Sequence, residues 1–546
     1  MRGSGQYWSR TVECIKDVLD RTSSAPGRHL RTNHALCMRL RQELERTLDV
    51  LEKELPEPGR QGPLVTQLYC AVKRADMLVV NCSSKHWLSI ASTPLEAMEG
   101  FVKIIKELQF WTRMVVVQLY SKTVEEIFDE VFGESRQLDM LEEEMREDST
   151  TLVSKLEDEM RMLRAFPRRF FMFRRHKRLE LAEFMKRKLS SQGNGRADRA
   201  NQLLLRPPPQ LETAIKQLSQ RVRAAPQGGI IMDLKWMKRK YCFKVISGIN
   251  QSEAIIHVGL HHPHIVTLMC AFEDVDKDKT CLVMEEEEGD FAELIEKKMK
   301  GNVTSPFPLP VAIDIMIQVA DALRYLHSKK VGHRDIKSRN MLWTRDETLI
   351  KDVGEAYYKV KVADFGSAKA DLEEISSEER HQNRTWKTGT TRWRAPELYE
   401  PSKAGSDQMK YPLMVDIFSL GIFFYELLTG QPPYADTERL EDVQERILRD
   451  PAPGPLPVSL PPYLKFCLQS CWDLEPSRRP NSEQIYQMLL HARNLQLGII
   501  YNDHASLFAY KTRDGERNQF EGNYFRSYTR SACQIVMGSK TMQRRI

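Results

Sequence analysis

Apolar residues recur at steps of three and four through the first quarter of the chain, the spacing of one face of an α-helix. Leu40, Leu44, Leu48, Leu51 and Leu55 share such a face, and the stretch 64–80 (LVTQLYCAVKRADMLVV) carries another. Ser92 and Thr93 before Pro94 supply an N-cap and a first-turn proline for a third helix, which runs through Phe101, Ile104, Ile105, Leu108 and Trp111. Ile127 to Phe132 is expected to belong to a fourth. Each segment has a single stripe to bury, so residues 1–135 predict an all-α helical bundle. No cluster of His, Cys or carboxylates lies on the apolar faces, which favours docking or scaffolding over chemistry there.

The pattern changes after residue 135. An acidic stretch at 141–160 leads into a basic and aromatic one from Phe166 to Lys188, where Arg168, Arg169, Arg174, Arg175, Lys177 and Arg178 alternate with Phe166, Phe170, Phe171 and Phe173. This mixture predicts a brace helix packed on a neighbouring domain, and it also suits an anionic membrane surface. A hydrophilic link at 190–202 and Pro207-Pro208-Pro209 close the segment 136–209. Residues 210–495 are expected to be a second, mixed domain, and 496–546 a tail.

Composition narrows this picture. A chain of 546 residues predicts two or three domains. Ten cysteines without a C-x-x-C pair read as reduced thiols in a cytoplasmic protein rather than a disulfide frame or zinc site. The first residues, MRGSGQYWSR, lack the apolar core of a signal peptide, and no run reaches the ~18 apolar residues of a membrane span. A net charge of +6 gives no argument for nucleic acid, which is not expected as a partner.

The chemistry concentrates in the second domain. His333-Arg334-Asp335-Ile336-Lys337-Ser338-Arg339-Asn340 places a carboxylate, a cation two residues on and a carboxamide five residues on, and Asp364-Phe365-Gly366 follows. Phosphoryl transfer calls for a carboxylate near the attacking hydroxyl, metal ligands on the phosphates and cations for developing charge. The order resembles the catalytic loop and DFG element of protein kinases. The resemblance implies that Asp335 orients the substrate hydroxyl, Lys337 steadies the transferred phosphate as in serine/threonine-specific kinases, and Asn340 and Asp364 hold Mg2+ on ATP. Ala395-Pro396-Glu397 resembles the end of the activation segment, Asp416 the aspartate that steadies the loop around His333 and Arg334, and Arg479 the partner of Glu397. Thr390 stands where a threonine bonds the catalytic aspartate and lysine. Met284 resembles the gatekeeper, with backbone groups from Glu285 to Glu287 facing adenine.

Lys244 fits the lysine of the α and β phosphates, and Glu253 the glutamate of a short helix beside it. Counting back from Lys244 puts Gly229 at the third glycine of the phosphate lid, with Ala224 and Pro226 in place of the first two. Proline there removes an N–H donor, so the lid departs from the kinase pattern.

Three stretches extend the resemblance: 262–285 (HPHIVTLMCAFEDVDKDKTCLVME), 309–331 (LPVAIDIMIQVADALRYLHSKKV) and the long insert between Asn340 and Asp364. The segment Gly389-Thr390-Thr391-Arg392-Trp393-Arg394 resembles the tyrosine-kinase-like branch of serine/threonine kinases, and the three stretches resemble the plant mixed-lineage-kinase-domain-like proteins. That implies a multidomain chain, an N-terminal all-α bundle followed by a two-lobed α+β kinase fold. In that family the kinase part is mostly read as a pseudokinase, and the bundle drives oligomerisation and membrane association in immunity-linked cell death. The chain departs from the family by keeping Lys244, Asp335, Asn340 and Asp364. The expected function is therefore a serine/threonine kinase acting on a protein substrate. The alternative is a pseudokinase switch whose bundle self-associates or meets a membrane peripherally. Ser367, Ser376, Ser377, Thr385 and Thr388 are candidate phosphorylation sites, with Arg334 as the cationic partner.

Overall fold

The structure is a computed structural model and describes residues 4–23, 30, 32–53, 63–83, 94–120, 134–165, 179–180, 182–186, 230–236, 239–247, 251–274, 279–300, 303–346, 357–370, 390–399 and 413–496. The bundle comprises α1 (Ser4–Arg21), α2 (His34–Lys53), α3 (Pro63–Ser83) and α4 (Pro94–Tyr120). Helix α1 lies against α3, α3 against α4, and α2 against α4. Their stripes meet in one core that includes Ile15, Leu40, Leu44, Leu68, Phe101 and Leu108.

The expected fourth helix at 127–132 lies outside the described residues. The fourth helix of the described bundle is α1 instead. Its buried stripe runs Trp8, Thr11, Ile15, Val18, and the threonine in the second place masks the apolar period. Thr11 satisfies its hydroxyl within the helix by donating to the Tyr7 carbonyl at 2.6 Å, which lets a polar residue sit in the core.

Helix α5 (Glu134–Ala165) braces the bundle through its side-chain carboxylate at Asp148. Both Asp148 oxygens accept from the first turn of α2, from Ala35 N–H and Leu36 N–H at 2.9 Å each. A carboxylate in that place satisfies orphan donors and meets the positive end of the helix dipole. The helical residues 182–186 return along α5, where Lys186 pairs with Glu157 at 2.5 Å and Arg164 with Glu183 at 2.7 Å. The basic-aromatic run 166–178 lies outside the described residues. No helix among the described residues is long and apolar enough to cross a membrane.

The second domain opens with an antiparallel sheet of β1 (Ile230–Trp236), β2 (Arg239–Ser247), β3 (Leu268–Asp274) and β4 (Lys279–Glu285), in the order β1-β2-β4-β3. Its register sets Lys244 opposite Leu282. Helix α6 (Gln251–Val258) has only eight residues and packs beside β3. A larger lobe follows, with β5 (Gly289–Asp290), α7 (Phe291–Lys298), α8 (Leu309–Ser328), the hairpin β6 (Met341–Asp346) and β7 (Tyr357–Val362), α9 (Met414–Thr429), α10 (Leu440–Arg449), α11 (Pro462–Cys471) and α12 (Ser482–Gln496). Helix α9 is buried on every face from Val415 to Thr429, as a central core helix is, and its polar groups Asp416 and Glu426 are buried with it. Gly421 lets α11 approach it closely, since a Cβ there would stand 2.5 Å from the Cys471 Cβ.

The bundle rests on this lobe by polar and cation–aromatic contacts. Lys103 of α4 lies 3.7 Å from Asp321 of α8 and hydrogen-bonds the His264 ring. Arg493 of α12 lies over the Trp111 ring at 4.8 Å and the Phe110 ring at 5.7 Å.

Candidate active site

The cleft between the lobes is lined by β2, α6, the loop before β6 and the turn after β7. Lys244, on β2, donates to both Glu253 oxygens at 2.9 and 3.2 Å and to Asp364 Oδ1 at 2.8 Å. Burial works against charge on all three groups, and charge pairing decides the outcome differently for each. The two carboxylates hold Lys244 above its ordinary value, and Lys244 holds Asp364 below its own. Glu253 is pushed up, because burial and the like charge of Asp364 outweigh Lys244. Asp364 takes a left-handed backbone, φ +66, and accepts from Gly366 N–H at 3.3 Å, which turns its carboxylate into the cleft.

The loop after α8 carries a second set. Asp335 accepts from Thr390 N–H and Oγ1, both at 3.1 Å, and from Asn340 Nδ2 at 3.0 Å. Lys337 bridges Asp335 Oδ2 at 2.5 Å and Thr390 Oγ1 at 2.7 Å. Fixed donors on three sides thus set the Asp335 oxygens. The loop that bears them is held from below by Asp416, fully buried in α9, which accepts from His333 N–H at 2.9 Å and Arg334 N–H at 2.7 Å. These bonds stabilise the left-handed turn at Arg334, φ +67. The Asp416 carboxyl is destabilised as an anion by burial, but bonds from His327 and the loop amides hold it below its ordinary value.

Phe365 packs between two imidazoles, 5.1 Å from His333 and 4.6 Å from His257 of α6. Arg479 and Glu397 pair at two points, 2.7 and 2.8 Å, and close the segment beyond Thr390. Met284 is buried at the end of β4. The side chains of Glu285 and Glu287 do not face the cleft: both meet Lys361 of β7, and Glu285 also accepts from Thr267 N–H at 2.7 Å. Gly229, Ala224, Pro226, Ser376, Ser377, Thr385 and Thr388 lie outside the described residues.

Several side chains that shape the site were not singled out from sequence. Lys361 alternates with Val360 and Val362 in a strand, a pattern that reads as solvent-facing. The signal that could have found it is the run Glu285-Glu286-Glu287-Glu288, which needs a cation nearby if any of it is buried. Glu426 of α9 lies between Ser338 Oγ at 3.1 Å and Trp393 Nε1 at 2.7 Å, tying the loop to the segment before Pro396. His257 could have been found four residues after Glu253, on the same face of α6.

The protein kinase domain family matches residues 225–490. This part of the chain is a protein kinase domain. Similar kinases include the light-sensor protein kinase of Ceratodon purpureus, 32% identical over 275 residues, covering 48% of this chain and 20% of the relative. The serine/threonine/tyrosine-protein kinase HT1 of Arabidopsis thaliana is 30% identical over 259 residues, covering 47% of this chain and 58% of the relative. Human mitogen-activated protein kinase kinase kinase 7 is 28% identical over 277 residues, covering 48% and 39%. The chain thus spans less than two thirds of each of these relatives' own lengths. Beyond the kinase domain, a chain of the AtMLKL3 tetramer, determined by cryo-EM, is similar in fold over 90% of this chain and 89% of that one. Its TM-score is 0.58 at 18% identity, a likeness of fold that takes in the helical region before the kinase domain.

Proposed function

We propose that the chain transfers the γ-phosphate of ATP to serine or threonine hydroxyls of a protein substrate, under control of its N-terminal bundle. The observation that carries this reading is the joint placement of Lys244, Glu253 and Asp364 on one side of the cleft and Asp335, Lys337, Asn340 and Thr390 on the other. Asp364 and Asn340 offer the hard oxygen donors that Mg2+ takes, and Lys244 a cation for phosphate oxygens. Bound Mg2+ would neutralise charge on the phosphates. Asp335 orients the hydroxyl and receives its proton, while Lys337, already bonded to Asp335 and Thr390, steadies the phosphoryl group as it moves. Ser367 is the candidate phosphorylation site among the described residues, and Arg334 is buried against the Asp416 side of the loop.

The test is magnesium-dependent incorporation of labelled phosphate by the full-length protein, beside Asp335→Ala. The expected result is incorporation lost in the variant, with MgATP still binding it. Equal incorporation by both proteins, or none by either, sinks the catalytic reading.

A second reading is favoured by the cation–aromatic contact of the bundle with the kinase domain. Such a polar interface separates more readily than an apolar one. On this reading nucleotide binding alone releases the bundle, which self-associates, as the tetramer of similar fold suggests, or meets an anionic membrane through residues 166–188. Nucleotide-dependent change of oligomeric state in Asp335→Ala would support it.

A further inference from the structure

The short connector between the lobes, Glu285-Glu286-Glu287-Glu288, is a run of carboxylates that repel one another, and water would be its ordinary surroundings. The β6–β7 hairpin instead holds Glu285, Glu287 and Glu288 from below. Strand alternation sets Leu342 and Thr344 of β6 on one face of the hairpin, and the register puts Lys361 opposite Leu342 and Lys359 opposite Thr344. Lys361 pairs with Glu285 and lies 3.2 Å from Glu287 Oε1. The side chains of Lys361 and Glu287 are 5% and 6% exposed, so this is a buried ion cluster rather than a surface pair. Thr344 donates its hydroxyl to Glu287. Glu288 donates its N–H to the Trp343 carbonyl, and its Oε1 accepts from Arg345 N–H, both at 3.0 Å.

Glu285 is fixed on its other side as well. Its N–H donates to the Thr267 carbonyl at 3.2 Å, and its Oε1 accepts from Thr267 N–H at 2.7 Å. Burial opposes the Glu285 anion, yet Lys361 and Lys359 bring it down to about 2. Burial likewise opposes charge on Lys361, and Glu285 and Glu287 hold it above its ordinary value. Cation and carboxylates thus keep one another charged in a place that favours neither.

The same strand leads to the metal end of the site. Val362 N–H donates to the His264 carbonyl at 2.8 Å, Ala363 N–H donates to the Asn340 carbonyl at 2.9 Å, and Asp364 comes next. One continuous piece of backbone therefore carries Lys361 under the connector and Asp364 into the cleft.

We propose that this face of the hairpin is a strut, with Lys361 as its positioning residue, that fixes the connector backbone where the purine of the nucleotide docks. The assignment depends on the cleft taking ATP, as proposed above. Lys361 is buried behind the connector and acts through Glu285 and Glu287. Without it two buried carboxylates lose their cation and repel, and the connector shifts to bring them to water. The purine loses its docking edge, whereas Lys244, Asp364 and Asn340 keep the phosphate end.

The test is titration of the full-length protein with adenosine and with MgATP, followed by ligand-detected NMR, for the wild type, Lys361→Met and Thr344→Val. Lys361→Met is expected to weaken both ligands by the same factor, about 10-fold or more, since the loss lies at the part they share. Thr344→Val removes one hydrogen bond to Glu287 and is expected to weaken both about 3-fold or more. A purely structural role would lower the melting temperature and leave the affinity of the folded protein where it was. Should Lys361→Met fail to fold, Thr344→Val decides. Unchanged adenosine affinity in the folded variants, or a loss confined to MgATP, overturns the strut. Binding is read without turnover, so a wild type that binds adenosine but transfers no phosphate loses only the catalytic reading. A wild type that binds neither ligand overturns both.

Discussion

Lys103 of the bundle donates a hydrogen bond to the His264 ring, and the contact reaches the kinase cleft in two further steps. The His264 carbonyl accepts from Val362 N–H at 2.8 Å, and Val362 stands two residues before Asp364. The His264 ring donates from Nδ1 to the Val360 carbonyl at 2.8 Å, which leaves Nε2 as the acceptor for Lys103. Burial and the Lys103 charge hold His264 neutral, well below its ordinary value.

Lys103→Glu sets a carboxylate beside Asp321 and removes the donor to His264. Coupling between sites is typically worth about 1–3 kcal/mol. MgATP affinity is therefore expected to fall at least about 5-fold, with faster hydrogen exchange in α4 and α8. Calorimetry and exchange mass spectrometry check both, and an unchanged affinity with unchanged exchange rejects the coupling.

Arg479 has a fully buried side chain and meets Glu397 at two points. Arg479→Ala leaves the Glu397 carboxylate buried without its partner, which costs about 3–5 kcal/mol. A fall in the denaturant midpoint of the kinase domain is the expected result; a loss below about 1 kcal/mol would mean the pair is dispensable.

Glu426 is pushed up to about 8 by burial, so it stays protonated in the fold at neutral pH. The unfolded chain ionises it near 4.5. Its contribution to stability is thus intact below that value and is lost as pH rises towards 8, by up to about 1.4 kcal/mol per unit. Glu426→Gln keeps an acceptor for Trp393 and supplies a donor to Ser338. The variant is expected to gain over the wild type by a few kcal/mol between pH 5 and 8. Thermal melts at the two pH values check this, and a constant gap argues against the protonated carboxyl.

His257 shows the opposite slope. Its Nε2 donates to the Val266 carbonyl at 2.6 Å, and its buried Nδ1 has no hydrogen-bond partner among the described residues. Burial brings the imidazole down to about 4 from 6.5. Stability from the neutral ring is present above 6.5 and is lost as pH falls towards 4. His257→Leu is expected to lie within about 1 kcal/mol of the wild type at pH 7 and to lose on the order of 2 kcal/mol less by pH 5. Parallel losses in both proteins would exclude His257 as the cause.

The parts of the fold and site legible in the sequence are those set by short spacing. Asp335, Lys337 and Asn340 lie within six residues, and Asp364 within a tripeptide, so their types and intervals carry the geometry. The apolar stripes of α2, α3 and α4 were legible for the same reason. Lys361, Glu426 and Asp148 were not, because each takes its meaning from a partner far along the chain. Lys361 reaches back to Glu285, Glu426 to Ser338, and Asp148 to Ala35. Helix α1 was hidden by a threonine in its apolar stripe, a local substitution that only packing against α3 explains.

The cap on α2 also sets a timetable. Asp148 follows Ala35 by 113 residues, so a ribosome adding about 5–20 residues per second makes the cap about 6–23 s after the turn it completes. Until then the opening amides of α2 have no Asp148 to meet, and Cys37 stands in a turn that has yet to be closed. The bundle of the nascent chain is in this sense unfinished when its four helices are all made. Translation speed between α4 and α5, rather than helix propensity, governs how long that state lasts.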